Sequence, residues 1–178
     1  ENRLELVKSS LGLLLGELKE HDRVGLVVYG TTARMILEPT SDKRAIREAI
    51  ARLVAEGSTN AEAGLTLAYD LASRGFDPLA ANRLILCSDG VANVGATGPQ
   101  SILARIDREA RRGIELTTVG FGMGNYNDVL MEKLADQGDG RYAYVDSLDE
   151  ARRIFVEGLT GTLQTVAKDA KVQGEFDP

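Results

Sequence analysis

Arg83–Gly90 reads Arg-Leu-Ile-Leu-Cys-Ser-Asp-Gly. Arg83–Cys87 is a short, strongly apolar strand, and Ser88-Asp89-Gly90 is a polar tip where it stops. An apolar run without polar alternation suits a strand covered on both faces, as in parallel sheets packed between helices. The flanking segments supply those helices. Upstream, Asn60 can cap a helix carrying Leu65, Ala68, Tyr69 and Ala72 on one side. Downstream, Pro99 is well placed in the first turn of a helix with Ile102, Ile106 and Ala110 facing inward, and Gly113 ends it.

The same alternation extends in both directions. Ile114–Phe121 is a second apolar strand, with Thr117 and Thr118 favouring extended backbone. Gly122-Met123-Gly124-Asn125 turns into a helix over Asp128–Gln137, ended by Gly138, and Tyr142–Val145 is the next strand. Ser147 and Glu150 form a capping-box pattern that opens a long last helix with Phe155, Leu159, Leu163 and Val166 along its apolar stripe. Towards the front, Leu4, Val7, Leu11, Leu14 and Leu18 recur at helical spacing. Arg23–Tyr29 is a near-continuous apolar run expected to be buried on both faces. After the turn at Gly30-Thr31-Thr32, Ala33–Leu37 can return antiparallel as an edge strand. Pro39-Thr40-Ser41-Asp42 starts a helix with Ile46, Ile50 and Leu53 on its buried face, closed by Gly57.

Strands alternating with helices specify an α/β domain with a mostly parallel sheet, helices on both faces and one antiparallel edge strand. The expected organisation is one domain over residues 1–167 and a C-terminal extension over 168–178, where Val172, Gly174 and Phe176 alternate with polar residues. The front is unusual. Doubly wound folds usually open with a strand that becomes central, whereas this chain opens in a helix, so either the sheet is built differently or a first strand has been left out.

The totals exclude several classes. The 178 residues suit one domain, and 43% hydrophobic with 27% charged composition fits a globular chain. No apolar run approaches the roughly 20 residues needed to span a bilayer. A net charge of -6, with no long Lys/Arg cluster, argues against nucleic acid as the main partner. The single cysteine, Cys87, excludes an internal disulfide and a cysteine-rich zinc site. His21, the one histidine, reads as a solvated loop residue.

In open α/β sheets ligands bind beyond the carboxyl ends of the strands. Here that rim carries Tyr29-Gly30-Thr31, Ser88-Asp89-Gly90 and Gly120-Phe121-Gly122, and Gly57-Ser58-Thr59-Asn60 can meet it at a helix start. The Thr59 hydroxyl and the Asp89 carboxylate are hard oxygen donors suited to Mg²⁺, Mn²⁺ or Ca²⁺. From spacing alone, Thr59 could equally cap a helix, and Asp89 could equally accept hydrogen bonds from the following turn.

The motif Gly57-Ser58-Thr59-Asn60 followed by Leu84-Ile85-Leu86-Cys87-Ser88-Asp89-Gly90 resembles the von Willebrand factor type A domain. Asp22–Tyr29 is similar to that family's second strand and Val119-Gly120-Phe121-Gly122 to its fifth. Asn127–Ala135 through Gly140–Val145 is similar to bacterial members, which are often associated with the cell envelope. The likeness runs over roughly residues 3–165. It implies a Rossmann-like sheet and a metal-ion-dependent adhesion site fed by three loops, with Thr59 and Asp89 as metal ligands. The family's third element, Asp-x-Ser-x-Ser at the end of the first strand, has no counterpart in this sequence, which matches the strand missing from the front. The complete domain is therefore expected to hold Mg²⁺, or Mn²⁺ or Ca²⁺, and this chain to hold it weakly or not at all. The absent strand could come from an upstream segment, from another copy or, less favourably, from Lys171–Phe176.

Enzyme signatures are missing. There is no Gly-x-Ser-x-Gly elbow and no phosphate loop ending Gly-Lys-Ser/Thr. Gly120-x-Gly122-x-Gly124 lacks the third glycine at dinucleotide-binding spacing. Cys87 reads as a small buried hydrophobe rather than a nucleophile. Asp89 as a phospho-acceptor would need an acidic pair and a lysine that are not evident. Arg105, Arg108, Arg111 and Arg112 read as a solvated helix face. The expected function is non-catalytic binding of a protein whose Glu or Asp completes the metal shell, with Val91–Gly98 and Gly122–Asn127 shaping specificity. The alternatives are a metal-independent assembly domain and a metal-dependent phosphoesterase.

Overall fold

The computed structural model describes residues 3–54, 60–88, 99–122 and 128–158. Its strands are β1 (Val24–Tyr29), β2 (Ala33–Thr40), β3 (Asn82–Ser88), β4 (Ile114–Phe121) and β5 (Tyr142–Val145). The helices are α1 (Arg3–Glu17), α2 (Lys43–Ala51), α3 (Ala61–Arg74), α4 (Pro99–Arg111), α5 (Asp128–Gln137) and α6 (Leu148–Arg152). A π-helical segment, Arg153–Gly158, continues α6. Strands β3, β4 and β5 are parallel neighbours in that order, while β2 runs antiparallel to β1 as an edge. This is the α/β, Rossmann-like architecture expected from the alternation.

Strand parity sends the two faces of the parallel sheet into separate cores. Leu84, Leu86, Ile114 and Leu116 pack with Ala61, Leu65 and Tyr69 of α3, Ile102 and Ile106 of α4, and Met131 and Leu134 of α5. Val119, Phe121 and Val145 turn to the other face, against Leu6 of α1, Ala151 of α6 and Phe155. A third cluster joins Leu15 of α1 to Ile46 and Ile50 of α2 beside β1 and β2. Together these clusters bury most of the long apolar side chains, the dominant favourable term for a domain of this size.

Helix ends follow local chemistry. The Asp42 carboxylate accepts from the Arg44 and Ala45 N–H groups to start α2, and the Asn60 side chain accepts from the Ala63 N–H to start α3. Ser147 accepts from the Glu150 N–H at 3.3 Å, while the Glu150 carboxylate pairs with Arg153.

Several expectations change. α2 ends with Arg52 at its C-cap, so Gly57 does not close it; Gly57 lies outside the described residues. In α1 the most buried side chains are Leu6, Ser10 and Leu15, while Val7, Leu11 and Leu14 of the expected stripe, with Leu18 just past the helix, pack half-buried against the core clusters. The cause is that α1 lies between two clusters and is apolar on more than one side. No residue of β1 is fully buried, against the expectation of a strand covered on both faces. The sheet is in two parts, and among the described residues no hydrogen-bonded ladder joins β1 to β3. Among the described residues β1 therefore has a ladder partner on one edge only, which leaves its apolar residues half-covered. Leu159, Leu163, Val166 and the extension over 168–178 lie outside the described residues.

The arginines of α4 are not simply a solvated face. Glu109, only 3% exposed, accepts from Arg112 at 2.7 Å, Arg108 at 3.3 Å and the Ser73 hydroxyl at 3.4 Å. Arg105 pairs with Asp70 of α3 at 2.5 Å, and its guanidinium lies 5.9 Å from the centre of the Tyr69 ring. These groups tie α3 to α4 beside the core. Arg111, which is exposed and paired with Asp107, fits the solvated reading.

Candidate functional site at the carboxyl rim

The three parallel strands all end on one rim, at Ser88, Phe121 and Val145. β1 reaches the same level because Tyr29 binds across to β3: its hydroxyl donates to the Cys87 carbonyl at 2.9 Å. The next residue takes hold of α3, since the Gly30 carbonyl accepts the Asn60 N–H at 2.9 Å. Gly64, one turn into α3, lies flat against Tyr29; a Cβ added there would stand 2.9 Å from Tyr29 Cβ and Cγ. The start of α3 and the end of β3 are thus both fastened to Tyr29-Gly30.

Thr59 and Asp89, the two candidate ligands, lie outside the described residues, as do the loops over 91–98 and 123–127. Their chain neighbours are placed: Asn60 bonds to Gly30, and Cys87, two residues before Asp89, bonds to Tyr29.

The sequence reading did not single out Ser88, which it grouped with the polar tip. In the structure Ser88 is 5% exposed, and its Oγ is buried without a hydrogen-bond partner among the described residues. The signal was strand parity: Leu84, Leu86 and Ser88 lie on one face, so the hydroxyl follows two core leucines into the interior. Ser88 pairs in register with Gly120, which has no side chain to offer it. Further along the rim, the Tyr142 hydroxyl donates to the Asp128 carboxylate at 2.5 Å, pinning the first residue of α5 to β5. Burial, followed by that bond to Asp128, pushes the Tyr142 phenol above its ordinary range. The turn after β4 uses Gly122 at φ +94°, where any Cβ would run into the Arg3 side chain.

These donors suit a hard cation better than a soft one. The unpaired Ser88 hydroxyl is a hard oxygen donor. The Cys87 thiol is packed against the α1/α6 cluster, and burial pushes it up to about 12, so it stays protonated. His21 sits in the turn before β1, at the opposite end of that strand from the rim. Among the described residues, no group of three or more His, Cys, Asp or Glu side chains is placed to hold a metal. Any complete shell therefore needs oxygens beyond them.

The family model of the von Willebrand factor type A domain matches residues 1–91. The chain is 43% identical over 180 residues to the uncharacterized protein YfbK of Escherichia coli, a match that covers 100% of this chain and 31% of that protein. It spans about a third to a half of the length of the curated relatives that match it. Among solved structures it is similar to an aerotolerance-related membrane protein of Bacteroides fragilis, with a TM-score of 0.70 and 19% identity over 90% of this chain and 89% of that one. It is also similar to proximal thread matrix protein 1 of the mussel byssus with a zinc-occupied MIDAS motif, at a TM-score of 0.67 and 19% identity over 88% of this chain and 42% of that one. At these identities the structural likenesses speak for the fold. Among the described residues, no helix is long and apolar enough to cross a membrane.

Proposed function

Because the chain belongs to the von Willebrand factor type A family, we propose that it is a non-catalytic protein-binding module whose rim takes part in a metal-ion-dependent adhesion site. Thr59 and Asp89 would hold the ion, together with oxygens from a strand outside this chain. A bound Mg²⁺, Mn²⁺ or Ca²⁺ supplies a coordination position for a Glu or Asp side chain of the partner. The chain's own contribution is to hold three loops at one rim.

The observation that carries this reading is the double fastening at Tyr29-Gly30. It ties the residue after Thr59 and the residue two before Asp89 to two consecutive residues, through the Gly30 carbonyl and the Tyr29 hydroxyl. The bacterial relatives and the membrane protein of similar fold support a place at the cell envelope.

The test is pull-down of partners with the full-length protein, with and without EDTA. Asp89→Ala should abolish the metal-dependent association and leave the fold intact by circular dichroism. Capture that is unchanged in EDTA would count decisively against the reading. Residues 1–178 alone should bind Mg²⁺ weakly or not at all in calorimetry, because Mg²⁺ demands near-octahedral geometry from several fixed oxygens.

The divided sheet favours a second element of the reading. β1 and β3 share no ladder among the described residues. A further strand between them, from an upstream segment or another copy, would satisfy both edges. A crystal structure of the full-length protein with that gap empty and hydrated refutes the strand.

A further inference from the structure

We propose that copies of this chain associate head to tail, with Leu79 of one copy seated in the groove between β2 and α2 of the next. The contact uses no metal and stands apart from the adhesion-site reading.

Leu79 is the most exposed large apolar side chain among the described residues, at 97%. It belongs to the run Pro78-Leu79-Ala80-Ala81, every member of which is exposed. Such a run is unexpected on a folded surface unless it has a use. The loop that carries it is closed by its own hydrogen bonds. The Asp77 carboxylate accepts from the Leu79 N–H at 2.9 Å. The Asn82 carboxamide accepts from the Asp77 N–H at 3.2 Å and donates to the Asp77 and Ala80 carbonyls at 2.7 and 3.0 Å. Pro78 fixes one further backbone angle. A loop ordered before it docks loses little entropy on docking.

The receiving groove has a volume of about 360 Å³. Ile36 and Leu37 of β2 and Ala45 and Ala49 of α2 line it, with Leu53 and the 64% exposed Val54 beyond the helix. A bulge makes the room. Val27 pairs with Met35 and Leu26 with Leu37, so Ile36 is left over, and both it and Leu37 reach the groove. The same bulge, with Glu38 and Pro39 after it, guards β2 against pairing with another strand. This face therefore admits an inserted side chain rather than an added strand. The charges agree. Arg34 and Arg52 against Glu48 leave the groove lining net positive, and the only charge in residues 75–82 is that of Asp77. A second copy thus brings an apolar side chain and a carboxylate to a groove that is apolar and positive. A projecting element and a receiving groove on different surfaces of one molecule make a heterologous contact, which repeats from copy to copy.

Sedimentation velocity of the full-length protein in EDTA tests this. The parent should sediment faster as its concentration rises from micromolar to near-millimolar. Leu79→Asp and Val54→Asp change exposed positions, so both should fold as the parent does by circular dichroism. Each should associate about ten- to a hundredfold more weakly, because a charge replaces an apolar side chain that the contact buries. Mixed in equal amounts, the two should form a dimer that grows no further, since the intact groove of the Leu79→Asp protein receives the intact Leu79 of the Val54→Asp protein. A parent that stays monomeric throughout overturns the proposal. So do variants that associate as the parent does, or a mixture that forms no dimer.

Discussion

Two glycine-to-alanine changes, both inside helices, should move stability in opposite directions. Gly12 in α1 is exposed and has nothing within 4 Å of the position a Cβ would take. Gly64 in α3 is buried, and its Cβ would fall 2.9 Å from Tyr29 Cβ and Cγ and 3.0 Å from Cδ1. Alanine is favoured over glycine in a helix interior by about 0.5–1 kcal/mol in either case. At Gly12 nothing opposes that gain. At Gly64 the carbon contacts lie roughly 0.6–1 Å inside their normal separation. Ring rotation gives no relief, because one clashing atom is Tyr29 Cβ, fixed by the backbone, and the hydroxyl is held on the Cys87 carbonyl. α3 must therefore retreat, at an overpacking cost of about 1–3 kcal/mol that outweighs the helix gain. The net loss is about 1–2 kcal/mol. For a domain of this size, 1 kcal/mol shifts Tm by about 2–4 °C. Gly64→Ala should thus lower Tm by about 2–8 °C and Gly12→Ala raise it by about 1–4 °C in differential scanning calorimetry. A Gly64→Ala protein as stable as the parent would refute the close packing of α3 on Tyr29, and with it the fastening that places the rim.

Stability should also fall in alkali. The fully buried Tyr69 phenol is held above its ordinary 10.0 by burial first and the Glu109 charge second, with Arg105 partly offsetting them. The folded state keeps its proton where the unfolded chain releases it, so stability is complete below about pH 10 and declines as pH rises beyond it. Tyr142 acts in the same direction, and Cys87, raised from 9.0 to about 12, starts the decline earlier, near pH 9. A urea midpoint that stays level from about pH 8 to pH 11 contradicts this. At neutral pH the half-buried Cys87 thiol stays protonated, so it should label with a disulfide reagent more slowly than in the unfolded chain, and equal rates in the two states contradict this.

Most element ends were legible because their signals are local. Asn60, Gly113, Gly138 and Ser147 each stop or start an element by backbone chemistry within four residues, and the structure honours all four. What escaped depends on neighbours distant in sequence. The α1 periodicity marked core-facing positions but not the deepest ones, because a helix wedged between two clusters is apolar on more than one side. β1 read as fully buried because composition shows what could be covered, not whether a neighbour is there to cover it. Glu109 was lost among arginines, since its partner Ser73 lies 36 residues earlier.

The rim shows the same division most sharply. Sequence marks Tyr29-Gly30, Asn60 and Ser88 as strand ends and a cap, each from its own few neighbours. Their meeting depends on a phenol reaching 58 residues along the chain to the Cys87 carbonyl, and on a glycine at 64 that lets α3 come close enough for Asn60 to find Gly30. If the rim binds as proposed, packing and binding share one pivot. On that reading, a change that lifts α3 from Tyr29 should weaken metal-dependent capture by more than its cost in stability explains, because it parts Asn60 from Cys87, the anchored residues nearest Thr59 and Asp89 in the chain. Gly12→Ala, which touches neither loop, should leave capture unchanged while the protein grows more stable. If capture instead followed stability alone across both variants, the rim would owe nothing to Tyr29.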